Sequence, residues 1–329
     1  MKRIRLIALG GTISMETGDS GLAVPALDAE RLAAATAGID RGISLTMGTW
    51  KQVPSPWLRP QDILELAREI EALSADYDGV VVSHGTDTLE ETAYFLDLIV
   101  APRIAIVVTG AQRHHSLLGE DGPRNLKDAV ITAADDDSSG AGALVVFCSQ
   151  IHAARDVIKT HTQHLDAFKS LEAGPLGAVE EDRVIWLRKP VVLEKYRVTR
   201  LDSRVEVVFT CMGSDSSLLE AVLSTRPDGV VIQGLGGGHV PPAMIPGIQR
   251  ALDSGAPVIL TSRCFAGRLL HRTYGYEGSE THLHDMGVVF ADGLSTTKAR
   301  VKLITLLGAG YDIERIRESF ECQRPLHKS

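Results

Sequence analysis

The junction between an apolar run and a helix near residue 85 constrains the fold of this chain most. Residues 79–82 (GVVV) are followed by small and polar residues up to Thr88, and helix-forming residues begin at Leu89. This pattern is typical of a buried strand that leads into a helix N-terminus. Ligands of open α/β sheets bind at the carboxyl ends of strands, so Thr86 and Asp87 lie where chemistry is usually done. Helix capping is the alternative role, because Thr and Asp are preferred N-cap residues.

Two further apolar runs end in the same way. Residues 4–9 lead into Gly10, Gly11 and Thr12, and residues 104–109 lead into a Gly-Ala-Gln-Arg turn. Paired glycines let the backbone turn tightly and pass close to a ligand. Three strands that end in Gly and Thr predict one shared pocket.

The alternation of apolar runs with helical patterns predicts the fold class. It favours a mainly parallel sheet covered by helices on both faces. Predicted strands lie at 5–9, 79–83, 104–109 and 143–148, with a later one at 183–187. Predicted helices lie at 60–73, 89–98 and 124–134.

A polar, proline-bearing stretch from residue 188 to 203 interrupts this pattern, and a second α/β set follows it. Its predicted strands are 205–210, 229–233 and 257–261, with helices near Leu218, Pro246 and Thr297 and with Ser295 as an N-cap. We therefore expect two α/β domains, a larger N-terminal one at 1–190 and a smaller C-terminal one at 205–329. Residues 191–204 are the predicted linker.

Composition narrows the classes of partner. The 329 residues carry a net charge of -8 without a basic stripe, so we expect no nucleic acid partner. No apolar run is long enough to cross a bilayer, and no signal-peptide pattern is present, so we expect no membrane partner and a cytoplasmic, soluble protein. The cysteines are far apart, and Cys148 and Cys211 lie in apolar runs, where we expect them to behave as small hydrophobes.

Two motifs suggest other functions. The GLGGGH segment at 234–239 follows a predicted strand, but it lacks the Gly-x-Gly-x-x-Gly spacing of dinucleotide sites, and prolines follow where the helix would begin. None of the histidine pairs combines helix-face spacing with a nearby carboxylate, as the zinc hydrolase motifs do, so we expect no bound metal.

Five motifs together resemble the bacterial asparaginase/glutaminase family. They occur in the family's order and spacing: GGT at 10–12, HGTDT at 84–88, TGAQR at 109–113, DGPRNL at 121–126 and ARDVIKT at 154–160. The resemblance implies hydrolysis of a small amide without a cofactor. It also implies a homotetramer, built as a dimer of dimers, with sites between subunits.

The resemblance also implies the roles of individual residues. Thr12 attacks the amide carbon, and Thr86, Asp87 and Lys159 form a second centre in which Lys159 takes a proton from Thr86. A hydroxyl needs such a base, as well as donors for the oxyanion, to act as a nucleophile. The remaining substrate-binding candidates are Gly11, Thr49, Trp50, Gly85, Ala111 and Glu277.

Departures from the family pattern concern the amino-acid end of the substrate. Trp50 replaces an amide acceptor with an indole that only donates. Leu22 lies near the position of a lid tyrosine, within a loop at 14–25 that corresponds to the family's mobile lid. Gly213 lies near the position of an asparagine, and Glu277 is a loose match for a glutamate supplied across the subunit interface. The substrate stays open between asparagine, glutamine, a D-isomer and another small amide, and a non-catalytic amide-binding homologue is the other alternative.

Overall fold

The structure, a computed structural model, describes residues 1–10, 15–17, 23–25, 42–101, 103–190, 194–291 and 293–321. The chain divides into two compact units, Met1–Lys195 and Tyr196–Ser329. The prediction of two α/β domains is confirmed, whereas the bounds of the linker stay a prediction.

The first unit is built on an eight-stranded sheet. The strands of this unit, including four outside the large sheet, are β1 (Lys2–Ala8), β2 (Met15–Thr17), β3 (Ala23–Pro25), β4 (Ile43–Thr49), β5 (Gly79–Ser83), β6 (Ala105–Thr109), β7 (Ala143–Phe147), β8 (Gln150–Ala153), β9 (Ile158–Lys159), β10 (Phe168–Lys169), β11 (Gly177–Glu180) and β12 (Arg183–Trp186). The helices are α1 (Pro60–Leu73), α2 (Leu89–Ile99) and α3 (Gly122–Ala134), with short 3-10 turns at Ser55–Trp57 and Asp136–Ser138.

The order of the large sheet is β12-β11-β8-β7-β6-β5-β1-β4. Pairing is parallel from β4 to β7 and antiparallel from β7 to β12. The chain leaves β1 toward β4 and leaves β5 toward β6, so the strand order reverses between β1 and β5. In open α/β sheets this reversal opens a crevice at the carboxyl ends of the strands.

Apolar side chains bury the middle of this sheet on both faces. Every residue of β5, β6 and β7 is buried, although successive side chains point to opposite faces. On one face α3 contributes Leu126, Ala129 and Val130 to a core with Leu6 and Val81. Continuous apolar runs are the pattern expected of a parallel sheet that is covered on both sides.

The second unit contains a four-stranded parallel sheet. Its strands, in sheet order, are β13 (Val205–Phe209), β14 (Gly229–Gly234), β15 (Val258–Ser262) and β16 (Val289–Phe290). Its helices are α4 (Ser217–Ser224), α5 (Ile245–Asp253), α6 (Glu280–Met286), α7 (Thr296–Gly308) and α8 (Ile313–Glu321), with a 3-10 turn at Pro242–Met244. The hydroxyl of Ser295 accepts a hydrogen bond from the N–H of Lys298, which confirms the predicted cap of α7.

Two local expectations are wrong. Cys148 and Cys211 are exposed, because β7 ends at Phe147 and β13 ends at Phe209, so each cysteine lies in the turn that follows its strand. Within the stretch predicted as a loop at 14–25, β2 and β3 pair as a short antiparallel hairpin. Leu22 lies outside the described residues.

We expect Gly110→Ala to destabilise the first unit. A Cβ at this position would lie 2.5 Å from the carbonyl oxygen of His84, so the turn after β5 would have to move. Overpacking of this kind costs about 1–3 kcal/mol. Gly275→Ala is the control, because its Cβ would meet nothing within 4 Å. Urea denaturation measures both variants, and equal stabilities would contradict this assignment.

Candidate active site

Three strands bring their carboxyl ends together at the crevice. Ala8 is the register partner of Ser83, and Ser83 is the register partner of Thr109. Past the strand ends, the N–H of Leu9 donates to the oxygen of Ser83 at 3.0 Å, and that of His84 donates to the oxygen of Thr109 at 2.8 Å. The turns after β1, β5 and β6 therefore start side by side, as the sequence predicts. Gly11 and Thr12 lie outside the described residues.

Lys159 meets Thr86 and Asp87 directly. Its Nζ lies 2.8 Å from the Oγ1 of Thr86 and 3.0 Å from the Oδ1 of Asp87. Thr86 is buried, and the side chain of Lys159 is 17% exposed, whereas that of Asp87 is 67% exposed. Water screens an ion pair with such an exposed carboxylate, which contributes about 0–1 kcal/mol to stability. The contact therefore serves to orient the lysine more than to hold the fold together.

Backbone contacts place Lys159 at this position. Its N–H donates to the carboxylate of Glu90 in the first turn of α2. Lys159 also pairs with Phe168 in the antiparallel β9–β10 ribbon, and the N–H of Thr160 donates to the oxygen of Ala167 at 2.7 Å. A segment far along the chain is thereby fastened to the start of α2.

Helix capping does not explain Thr86 and Asp87. The N-cap of α2 is Thr88, whose hydroxyl donates to the oxygen of Ser55 at 3.0 Å. The Thr86 and Asp87 side chains instead converge on the lysine. Thr88 also ties the turn after β5 to the segment after β4.

Gln112 belongs to the TGAQR motif, but the sequence pattern alone indicates no role for it. Its Oε1 lies 3.4 Å from the Oγ1 of Thr86. The carboxylate of Asp121 accepts the backbone N–H groups of Gln112 and Arg113, and the amide of Asn125 donates to Gly110 and to Asp121. These contacts fix the turn after β6 to the start of α3, and the side chain of Gln112 then reaches the turn after β5. The HGTDT, TGAQR and DGPRNL motifs contain all these residues, and only the fold shows that they meet.

Gly85 and Ala111 line the same two turns. Both are buried, and Ala111 has no exposed surface. The Cβ that Gly110 lacks would clash with the oxygen of His84, so a glycine is required for this close approach. These placements agree with a binding role, which remains a prediction for both residues.

Thr49 and Trp50 lie at the carboxyl end of β4. Thr49 is exposed and pairs with Ala8, and the N–H of Trp50 donates to the oxygen of Ala8 at 3.0 Å. The ammonium of Lys51 lies 4.4 Å from the centre of the Trp50 ring and is paired with Asp62. One face of the indole is therefore already occupied by a cation.

Glu277 is exposed in the second unit, and three residues later Glu280 is fully buried. The carboxylate of Glu280 accepts the N–H groups of Thr273 and Tyr274 and lies 3.1 Å from the Nε2 of His239. None of the five sequence motifs contains this buried carboxylate. A role for Glu277 toward a partner subunit remains a prediction.

The alternative ligand sites fit the structure poorly. In the segment 234–239, the N–H groups of Leu235 and His239 pair with each other's carbonyl oxygens, so they are not open to a pyrophosphate. His161 and His164 stack with ring centres 3.4 Å apart, and the Nδ1 of His161 accepts two backbone N–H groups. Among the described residues, no group of three His, Cys, Asp or Glu side chains is arranged to hold a metal ion. None of the described helices has the length and apolarity needed to cross a membrane.

Comparison with known families covers almost the whole chain. The family model "Asparaginase, N-terminal" matches residues 3–192, and "Glutaminase/Asparaginase C-terminal domain" matches residues 204–320. The chain belongs to the asparaginase family. The resemblance seen in the five motifs is thereby confirmed.

Relatives within the asparaginase family align from end to end. The chain is 37% identical to "L-asparaginase" of Bacillus licheniformis, over 97% of this chain and 99% of that protein. It is 36% identical to "Probable L-asparaginase" of Deinococcus radiodurans, over 97% of each. A crystal structure described as a probable cytoplasmic L-asparaginase from Campylobacter jejuni matches with a TM-score of 0.85 at 28% identity, over 97% of this chain and 99% of that one.

His84 supports the turn that carries Thr86. It is completely buried, its Nδ1–H donates to the oxygen of Gly85 at 2.7 Å, and its Nε2 accepts from the hydroxyl of Thr92 at 2.9 Å. Burial disfavours the charged imidazole and lowers the pKa of His84 from 6.5 to about 4. The imidazole is therefore neutral at pH 7.

We expect His84 to make the protein less stable in mild acid. Because the pKa of His84 is about 4 in the fold and 6.5 as the unperturbed value, the unfolded chain binds the proton more tightly. The stabilisation is complete above pH 6.5 and is lost as the pH falls toward 4. Between pH 7.5 and 5 this loss amounts to ~2 kcal/mol. Urea unfolding of wild type and His84→Gln at both pH values measures it, and an equal pH dependence in the two proteins would contradict the assignment.

Proposed function

We propose that this protein is an amidohydrolase that releases ammonia from L-asparagine or a related small amide. The observation that carries the proposal is the contact of the Lys159 amine with both Thr86 and Asp87 at the crevice of the sheet. Membership of the asparaginase family and the end-to-end similarity to L-asparaginases support it. The proposed substrate is asparagine first, with glutamine, a D-isomer or an amide without an amino group as alternatives.

The reaction begins with Thr12 in this proposal. Its hydroxyl oxygen attacks the amide carbon, the C–N bond breaks, and the nitrogen leaves as ammonia after it gains a proton. Water then hydrolyses the acyl-enzyme ester, which returns the Thr12 hydroxyl and yields a carboxylic acid. Peptide N–H groups next to Gly11 are candidates to stabilise the oxyanion.

Lys159 and Thr86 supply the proton transfers. A neutral amine at Nζ would accept the proton of Thr86, and the Thr86 oxygen would in turn take a proton from the attacking nucleophile. Asp87 holds the amine in place through its contact of 3.0 Å. The burial of Thr86 supports this role, because interactions between polar groups are stronger where water is excluded.

The segment after β4 is the candidate determinant of substrate choice. Trp50 offers no acceptor to an α-ammonium group, and Lys51 occupies one face of its ring. The α-ammonium group of a substrate therefore has no acceptor on the indole, and only the ring face opposite Lys51 is left for a cation–π contact. This observation favours amides that lack an α-amino group as the second candidate substrates.

The remaining parts of the proposal rest on family membership. We propose a homotetramer in which Glu277 faces a neighbouring subunit, a reaction without cofactor or metal, and a role in asparagine catabolism. A cytoplasmic location is supported by the description of the Campylobacter jejuni relative as cytoplasmic. The proposed domains are 1–190 and 205–329, joined by 191–204, and the family models end and begin near these bounds.

Removing the hydroxyls or the amine of the site is expected to abolish turnover. Thr12→Ala, Thr86→Val and Lys159→Met are each expected to lose at least about two orders of magnitude in kcat while remaining folded. The matched control is Thr160→Val, which removes a neighbouring hydroxyl that donates to the oxygen of Ala167. Ammonia release measures activity, and near-normal turnover in Lys159→Met would contradict the proposed proton transfer.

Trp50→Gln is expected to lower KM for L-asparagine with little change in kcat. The substituted amide supplies an acceptor for the substrate's ammonium group, which affects binding more than the transition state. Trp57→Gln is the control, because Trp57 is 71% exposed. Values of kcat/KM for L-asparagine, L-glutamine, D-asparagine and succinamate are compared. A wild type that strongly prefers L-asparagine, and loses that preference in Trp50→Gln, would contradict this role for Trp50.

A further inference from the structure

Among the described residues, the hydroxyl of Thr86 contacts two side chains that place opposite requirements on its single proton. The Nζ of Lys159 lies 2.8 Å away and the Oε1 of Gln112 lies 3.4 Å away. An ammonium group only donates, so Thr86 accepts from charged Lys159 and directs its own proton to Gln112. The hydroxyl has a single proton, which cannot be directed to both partners at once.

The position of Gln112 is set by its backbone. Its N–H lies 3.1 Å from each carboxylate oxygen of Asp121, and Asp121 also accepts from the amide of Asn125 at 3.0 Å. The side-chain amide is held less firmly than the backbone, because its one hydrogen-bond contact among the described residues is the 3.4 Å contact with Thr86. Its Nε2 is buried and has no hydrogen-bond partner in the described part of the chain. Leaving a buried donor unpaired costs free energy, and a bound water or ligand can supply the missing acceptor.

The direction of the amide follows from the chemistry of Thr86. If Nε2 faced Thr86, the hydroxyl oxygen would meet two donors, and its proton would have no acceptor among these three side chains. With Oε1 facing Thr86, the chain Lys159 to Thr86 to Gln112 has a donor and an acceptor at each contact. Gln112 thus stabilises the arrangement in which Lys159 is charged.

We propose that Gln112 is a positioning residue that holds the Thr86 proton away from Lys159 and so sets the pH at which Lys159 begins to act as a base. This inference rests on the proposed function. When Lys159 gives its proton to solvent, its lone pair can accept the Thr86 proton only after that proton leaves Gln112. The acceptor strength at position 112 therefore controls how easily the base is formed.

Charged groups near Lys159 also influence this step. Asp87 lies at its amine, and Glu90 on α2 accepts its backbone N–H. On the adjoining β10, Lys169 is paired with Asp166. Substitution of Gln112 leaves these groups in place, so differences between variants report on position 112.

The test is the pH profile of kcat/KM for ammonia release in two variants with opposite expected effects. Gln112→Met removes the acceptor, so the pH of half-maximal activity on the acidic limb is expected to fall by roughly half a unit, because a contact of 3.4 Å is weaker than an ordinary neutral hydrogen bond. Gln112→Glu strengthens the acceptor and adds a negative charge, so the same midpoint is expected to rise by roughly one unit or more. A purely structural role would lower the rate at every pH without opposite shifts.

Gln163→Met and Gln163→Glu are the matched controls. Gln163 is exposed on the loop that follows Lys159, and these two substitutions change charge and polarity in the same way as the Gln112 variants do. They are expected to leave the pH midpoint within about 0.2 units of the wild-type value, because salt screens surface charges.

Unshifted midpoints in the Gln112 variants, or shifts in the same direction, would overturn the inference. The direction of the midpoint shift in either Gln112 variant tests the inference by itself. If one variant fails to fold, the other still provides the test. Loss of activity in Lys159→Met with unshifted Gln112 variants would overturn this inference alone, whereas full activity in Lys159→Met would overturn the proposed function.

Discussion

The parallel pairing of β1 with two neighbours is the constraint on which the first unit depends. Ala8 is in register with Thr49 on one side and with Ser83 on the other. Because the strand order reverses at β1, the segments that leave these strands diverge and leave a crevice between them. Side chains that would be remote in an extended chain thereby meet at one edge of the sheet.

Long-range contacts then convert this edge into a candidate catalytic site. The β9 segment is joined to α2 through Glu90, and the amine of Lys159 reaches Thr86 across 73 positions of sequence. The contact with exposed Asp87 adds little stability because water screens it. The buried hydroxyl of Thr86, the amine of Lys159 and the amide of Gln112 are the groups that the proposed proton transfers require.

Buried polar groups near the site follow two different rules. Both polar atoms of the Asn125 amide and both ring nitrogens of His84 are hydrogen-bonded. These two residues therefore fix the turns that carry Gln112 and Thr86. Gln112 itself keeps one buried donor unpaired within the described residues. Satisfied groups make the frame rigid, and the group that is unpaired among the described residues lies beside Thr86, for which we propose a role in proton transfer. This division is expected where strain and incomplete pairing are concentrated at functional sites.

Local pattern determined much of this protein from the sequence alone. Continuous apolar runs predicted β5, β6 and β7, and the bounds of α1 and the cap at Ser295 were likewise predictable, because these features depend on neighbouring residues. The five motifs pointed to Thr86, Asp87 and Lys159 through family resemblance.

Only the tertiary structure decided the contacts between distant segments. The meeting of Gln112 with Thr86, the placement of Lys51 over Trp50 and the exposure of Cys148 all depend on how turns end and pack against one another. Periodicity shows which residues are buried, but it does not show which polar atoms face each other across a turn. Those pairings depend on register and on close backbone approach, as between Gly110 and His84, and they arise only once the sheet has formed.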